Sequence, residues 1–96
     1  MYAVIRNYSG SGATELVELI GERKEEVENI IGSINGFVSW TLISTDGGGA
    51  TVTICQDKAG TDESIQRARN WIQENASDLS VNPPAVSEGP VSIHLS

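Results

Sequence analysis

Few side chains in this sequence have the chemistry to act on a small molecule: a lone histidine (His94), a lone cysteine (Cys55), two tryptophans (Trp40 and Trp71), and the run Arg6-Asn7-Tyr8 near the start. A histidine titrates near neutral pH and can take a proton. His94 has no partner carboxylate identifiable from the sequence, and a single histidine on a terminal strand is ordinarily a surface or interface residue. Trp40 and Trp71 are large enough to dominate a small core, so packing is their ordinary role and stacking on a ligand the special one. Cys55 lies among apolar and threonine residues with no basic neighbour, which describes a buried, inert thiol rather than a nucleophile. No set of His, Cys, Asp and Glu has metal-ligand spacing, and Glu15, Glu18, Glu22, Glu25 and Glu28 form a solvated helix face. Arg6 is the unusual residue. It alternates with Val4 and Tyr8 on one face of a strand, where it either pairs with a glutamate of the first helix or points into a cavity.

The triplet Gly47-Gly48-Gly49 invites a phosphate-loop reading. Such a loop needs a strand before it and a helix after it, with a Lys-Ser/Thr pair at the helix start. Here a second strand follows and no lysine is present, while Asp46-Gly47 is a common hairpin turn pair. The triplet reads as a turn.

These residues must be positioned by a single domain spanning 1–96, of 10.2 kDa. A chain this short buries only roughly 60–65% of its unfolded surface, so a partner surface would help it. Six Lys+Arg against thirteen Asp+Glu give a net charge of -7 and a pI near 4.4. That charge repels nucleic-acid backbones and anionic lipid, so neither is expected as a partner. No apolar run approaches the ~20 residues of a membrane span, and the first residues lack the pattern of a signal peptide. With one unpaired cysteine, the expected compartment is the cytoplasm.

Residues 2–8 alternate loosely and predict a strand. From Thr14 to Ile31, Leu16, Val17, Leu19, Ile20, Val27, Ile30 and Ile31 recur at three- and four-residue spacings, which predicts one amphipathic helix stopping near Gly32. Residues 36–45 and 50–56 predict a hairpin. A second helix is expected to open at Thr61 or Asp62, with Ile65, Ala68, Ile72, Ala76 and Leu79 as its buried stripe. After Asn82-Pro83-Pro84, Val86 to Leu95 predicts a last strand with Val91, Ile93 and Leu95 on one face and Ser92 and His94 on the other.

The order β-α-β-β-α-β is the split βαβ, ferredoxin-like α+β arrangement, a four-stranded antiparallel sheet with both helices on one face. The second strand carries large side chains on both sides, Val38, Trp40 and Leu42 against Phe37 and Ile43. A small sheet with two partly apolar faces predicts a homodimer, the second copy covering the face the helices leave open.

Four segments, Tyr2 to Tyr8, Ile34 to Trp40, Ser64 to Ile72 and Pro84 to Val91, resemble the antibiotic-biosynthesis-monooxygenase (ABM) type proteins of the dimeric α+β barrel superfamily. The resemblance covers almost the whole chain. It implies a dimer whose sheets face each other, with a pocket in each protomer between sheet and helices. It also implies one of several functions, among them cofactor-independent oxygenation of phenolic compounds and haem degradation.

Haem-degrading members use an Asn on the first strand, a Trp in the helical region and an iron-ligating His on a helix. Asn7 and Trp71 match the first two by element, but the sole histidine, His94, falls on the last strand, so no haem is expected. Quinone-forming members are matched by a pocket built from Asn7, Tyr8, Trp40 and Trp71, the last three as substrate-binding residues. An oxygenase with neither metal nor flavin must use its substrate as the reductant, assisting its deprotonation and shielding the anion. The resemblance then gives Asn7 the part of hydrogen-bond donor, His94 that of base and Arg6 that of anion stabiliser. No metal, haem or flavin is expected, and the expected partner is a small aromatic or apolar molecule. The competing expectation is a non-catalytic module that binds such a molecule or acts as a dimeric interaction domain.

Overall fold

The computed structural model describes residues 1–96. Strand β1 (Tyr2–Ser9) is followed by helices α1 (Ala13–Glu22) and α2 (Lys24–Gly32), the hairpin β2 (Phe37–Thr45) and β3 (Gly48–Cys55), helix α3 (Lys58–Asn75), a 3-10 turn at Ser77–Leu79, and β4 (Ala85–Pro90). The sheet order is β2-β3-β1-β4 and every pairing is antiparallel. This is the expected α+β ferredoxin-like arrangement, with β1 central and the helices on one face.

The first helix is two helices. A continuous helix would carry Arg23 and Lys24 in the same stripe as Leu16, Ile20, Val27 and Ile31, towards the sheet. The chain instead breaks at Arg23 (φ -102°, ψ 30°), whose guanidinium turns out to Glu26 at 3.6 Å and to Asn75 at 3.1 Å. Leu16, Val17, Ile20, Val27 and Ile31 stay buried.

The second helix begins earlier than its sequence signals. Asp57 caps α3, its carboxylate accepting from the Gly60 N–H at 3.2 Å. Thr61 and Ser64 are therefore inside the helix and fully buried, their hydroxyls donating to the carbonyls of Lys58 and Thr61. The buried face is Gly60, Thr61, Ser64 and Trp71, with Ile65, Ala68 and Ile72 only half-buried beside it. Small residues at its start bring the helix close against β3, and the stripe is rotated from the one the aliphatic residues suggested.

The glycine triplet is structural. Gly47 has φ 79° in the turn, and Gly48 and Gly49 already belong to β3. A side chain on Gly49 would meet Val17 Cγ2 at 2.7 Å, so its absence is what seats α1 on the sheet.

Two strand expectations are corrected. A bulge between Phe37 and Ser39 inserts a residue opposite Cys55 and Ile54, which returns Phe37 to the same face as Trp40 and Leu42. All three pack on the core beneath the helices. The last strand stops at Pro90: Tyr2 opposite Pro90 is the final pair, the Val91 N–H to Met1 carbonyl bond (2.9 Å) is the last rung, and beyond it the chain passes the end of β1 without a partner. Ile93 and Leu95 are consequently 90% and 94% exposed, and His94 is in this tail, not on a strand. The other sheet face has no cover within the chain, and Ile5 and Ile43 lie on it exposed.

Candidate functional site

The period of two along β1 places Val4, Arg6 and Tyr8 under the helices. Arg6 pairs with Thr51 of β3, and Trp40 of β2 with Thr53, so register alone sets Arg6, Thr51 and Trp40 on one face. Over them α1 and α2 bring Ile20, Val27, Ile30 and Ile31, and α3 brings Trp71, Ala68 and Ile72, lining a partly open cavity of about 30 Å³. That volume is on the order of one water molecule. A wider groove of about 410 Å³ runs outside it, between α2 and the start of β2, lined by Glu28, Gly32, Phe37 and Ser39. Trp40 and Ile31 belong to both walls.

The polar content of the cavity is unusual. Arg6 is only 4% exposed, and its one hydrogen bond runs from Nη1 to the Ser64 carbonyl at 3.2 Å. No carboxylate reaches it, so of the two arrangements open to Arg6 the structure has the cavity-facing one. Its Nε has no partner, nor have Trp40 Nε1 and Thr51 Oγ1. Burial pushes the guanidinium down from its ordinary value; the adjacent Tyr8 hydroxyl opposes this and Arg69 adds to it. Arginine stays protonated through such shifts, so the site holds a buried positive charge and three polar atoms lacking partners.

Arg67 also lines the cavity but is fully engaged: it donates to the Ile30 carbonyl at 2.6 Å and to Ser33 Oγ at 2.8 Å, and forms an ion pair with Glu63. The Trp71 indole N–H donates to Glu26 at 2.5 Å.

The structure thus brings Arg6, Tyr8, Trp40 and Trp71 together. Asn7, the neighbour of Arg6, points to the opposite face, opposite Ala85 and Ala50, and His94 is in the exposed tail. Neither lines the cavity. Thr51 and Arg67 were not singled out in the sequence; Thr51-Val52-Thr53 does alternate, but only the register with Arg6 gives the threonines meaning. No group of three or more His, Cys, Asp or Glu side chains is placed to hold a metal ion, and no helix is long and apolar enough to cross a membrane.

No protein-family model matches the chain, and no curated protein is significantly similar to it in sequence. Solved structures do match over nearly its full length. A protein of unknown function from Nitrosomonas europaea, NE2512, superposes with a TM-score of 0.71 at 13% identity, covering 99% of this chain and 91% of that one. A monooxygenase from the gene ActVA-Orf6 of Streptomyces coelicolor, solved with the ligand nanaomycin D, gives 0.59 at 24% identity, covering 99% and 90%. SnoaB, a cofactor-independent oxygenase from Streptomyces nogalater, gives 0.59 at 15% identity, covering 98% and 93%. The chain has the fold of the ABM-type monooxygenases.

Proposed function

We propose, from a fold shared with cofactor-independent oxygenases, that this chain is an ABM-like monooxygenase acting on a small phenolic compound. The observation that carries the reading is Arg6, a buried cation without a counter-charge in a cavity walled by Tyr8, Trp40 and Trp71. A phenol is oxidised by oxygen directly only once its ring is electron-rich, and deprotonation achieves this. Arg6 would stabilise the phenolate oxygen, and the aromatic walls around it would exclude water. For a phenol open at the para position, one oxygen atom enters the ring and the other leaves as water. The substrate supplies all four electrons and becomes a quinone, and the reading calls for no metal, haem or flavin. It places the protein in the cytoplasm, as a homodimer joined through the sheet face that carries Ile5, Ile43 and Asn7.

A second reading has its own support. No carboxylate or imidazole lines the cavity, so the proton taken from a phenol has no evident acceptor beside Arg6. That favours a module that binds a small aromatic molecule without turning it over. An oxygen electrode with 1-naphthol as substrate separates the two. Oxygen uptake that disappears in Arg6→Met supports the oxygenase; saturable ligand stabilisation with no uptake supports the binding module.

A further inference from the structure

We infer that the Arg6 cavity and the groove outside Trp40 are two halves of one site, which takes a flat aromatic body ending in a monoanionic oxygen headgroup, carboxylate or phenolate. The inference rests on reading the cavity as the ligand site, and it does not require turnover.

Size is the first argument. The cavity, at about 30 Å³, admits a headgroup and no ring, whereas the groove, at about 410 Å³, falls in the range of small-molecule sites. Trp40 and Ile31 line both spaces, so a ligand with its head on Arg6 would have to cross this shared wall to leave its body against Phe37 and Trp40.

Charge is the second. Arg6 Nε and Trp40 Nε1 are buried donors without acceptors, and Thr51 Oγ1 is a buried hydroxyl likewise unpartnered. An anionic oxygen headgroup in the cavity offers these donors an acceptor and supplies the missing counter-charge, and hydrogen bonds to a charged partner are the strong kind. A dianion is disfavoured. The other cavity arginine, Arg67, is already paired with Glu63, Glu28 stands on the groove, and the chain carries a net charge of -7. One cation therefore faces one negative charge.

The test titrates the protein with three probes of the same ring system, 2-naphthoate, 2-naphthol and the uncharged 2-methylnaphthalene, following tryptophan fluorescence. We expect 2-naphthoate, 2-naphthol or both to bind at least about tenfold more tightly than 2-methylnaphthalene. 2-Naphthol bound as phenolate shows a red-shifted absorption band at neutral pH; preference for 2-naphthoate alone identifies the head as a carboxylate. Arg6→Met removes the preference, and Phe37→Ala weakens all three probes alike. Should Arg6→Met fail to fold, the wild-type comparison of charged and uncharged probes decides by itself. Hydrocarbon binding as tight as both oxygen-headed probes, or probes indifferent to Phe37→Ala, overturns the inference. Anion preference without oxygen uptake refutes only the oxygenase reading, and oxygen uptake without anion preference refutes only this one.

Discussion

The indole N–H of Trp71 on α3 donates to the Glu26 carboxylate on α2 at 2.5 Å, closing a polar ring over the cavity. Glu26 also meets Arg23 at 3.6 Å, Arg23 donates to Asn75 at 3.1 Å, and Asn75 donates back to the Trp71 carbonyl at 2.9 Å. The ring holds two helices whose other faces wall the site. Because the Glu26 side chain is 43% exposed, solvent compensates much of any loss, and a bond that would be worth more in the interior is discounted. A double-mutant cycle with Glu26→Ala and Trp71→Phe, read by urea unfolding, is expected to give a coupling of about 1 kcal/mol. Strict additivity would show that the contact holds nothing together.

Two helical glycines should respond to alanine with opposite signs. A Cβ on Gly21 meets nothing within 4 Å, so Gly21→Ala gains helix propensity and should stabilise by about 0.5–1 kcal/mol. A Cβ on Gly60 would stand 2.7 Å from Cys55 Cβ and 3.2 Å from the Asn35 carbonyl. The helix cannot back away without unseating Thr61 and Ser64, so Gly60→Ala should destabilise by about 1–3 kcal/mol despite the better propensity. Urea midpoints of the two variants moving in the same direction would contradict this.

How much of this was legible beforehand depends on whether the signal is local. The hairpin, the β1 alternation that buries Arg6, and the ferredoxin-like order all follow from period and turn chemistry, which a single sequence carries. The break at Arg23 does not, because no proline marks it, Gly21 two residues earlier is itself helical, and the cause is where a longer helix would aim two cations. The start of α3 is not legible, because Thr61 and Asp62 resemble caps, whereas the cap is Asp57 and close packing on Cys55 requires the small Gly60 inside the helix. The bulge at Val38, which turns Phe37 inwards, and the end of β4 depend on partner strands. For the same reason Arg6, Tyr8, Trp40 and Trp71 were nameable as candidates, while Thr51 and the partition role of Trp40 were not.

Cys55 gives a pH-dependent expectation. Burial, with Asp57 and Glu63 nearby, raises its thiol pKa above the ordinary value. In the unfolded chain the thiol ionises at about 8.5–9 while the folded protein still holds the proton. Above that range the unfolded state therefore binds fewer protons, and stability falls as pH rises. Urea midpoints measured from pH ~7.5 to ~10 should decline more steeply for wild type than for Cys55→Ala, which lacks the group. Parallel slopes would mean that the thiol ionises equally readily in both states.

The open face of the sheet supplies the last expectation. Ile5 and Ile43 are 43% and 48% exposed there, next to half-buried Val52 and to Asn7. A twofold interface places each residue against a symmetry mate's surface, so one substitution acts twice. Ile43→Glu would bury two like charges in an apolar contact, which should weaken the proposed dimer by about a hundredfold or more. Sedimentation should show wild type as a dimer at micromolar concentration and Ile43→Glu as a folded monomer. Asn7→Ala should shift the dimer equilibrium and leave probe binding at Arg6 unchanged, since the two side chains lie on opposite faces. A wild type that sediments as a monomer would remove the dimer, and Asn7→Ala that loses the probe instead would mean that the open face, rather than the helix side, reaches the ligand.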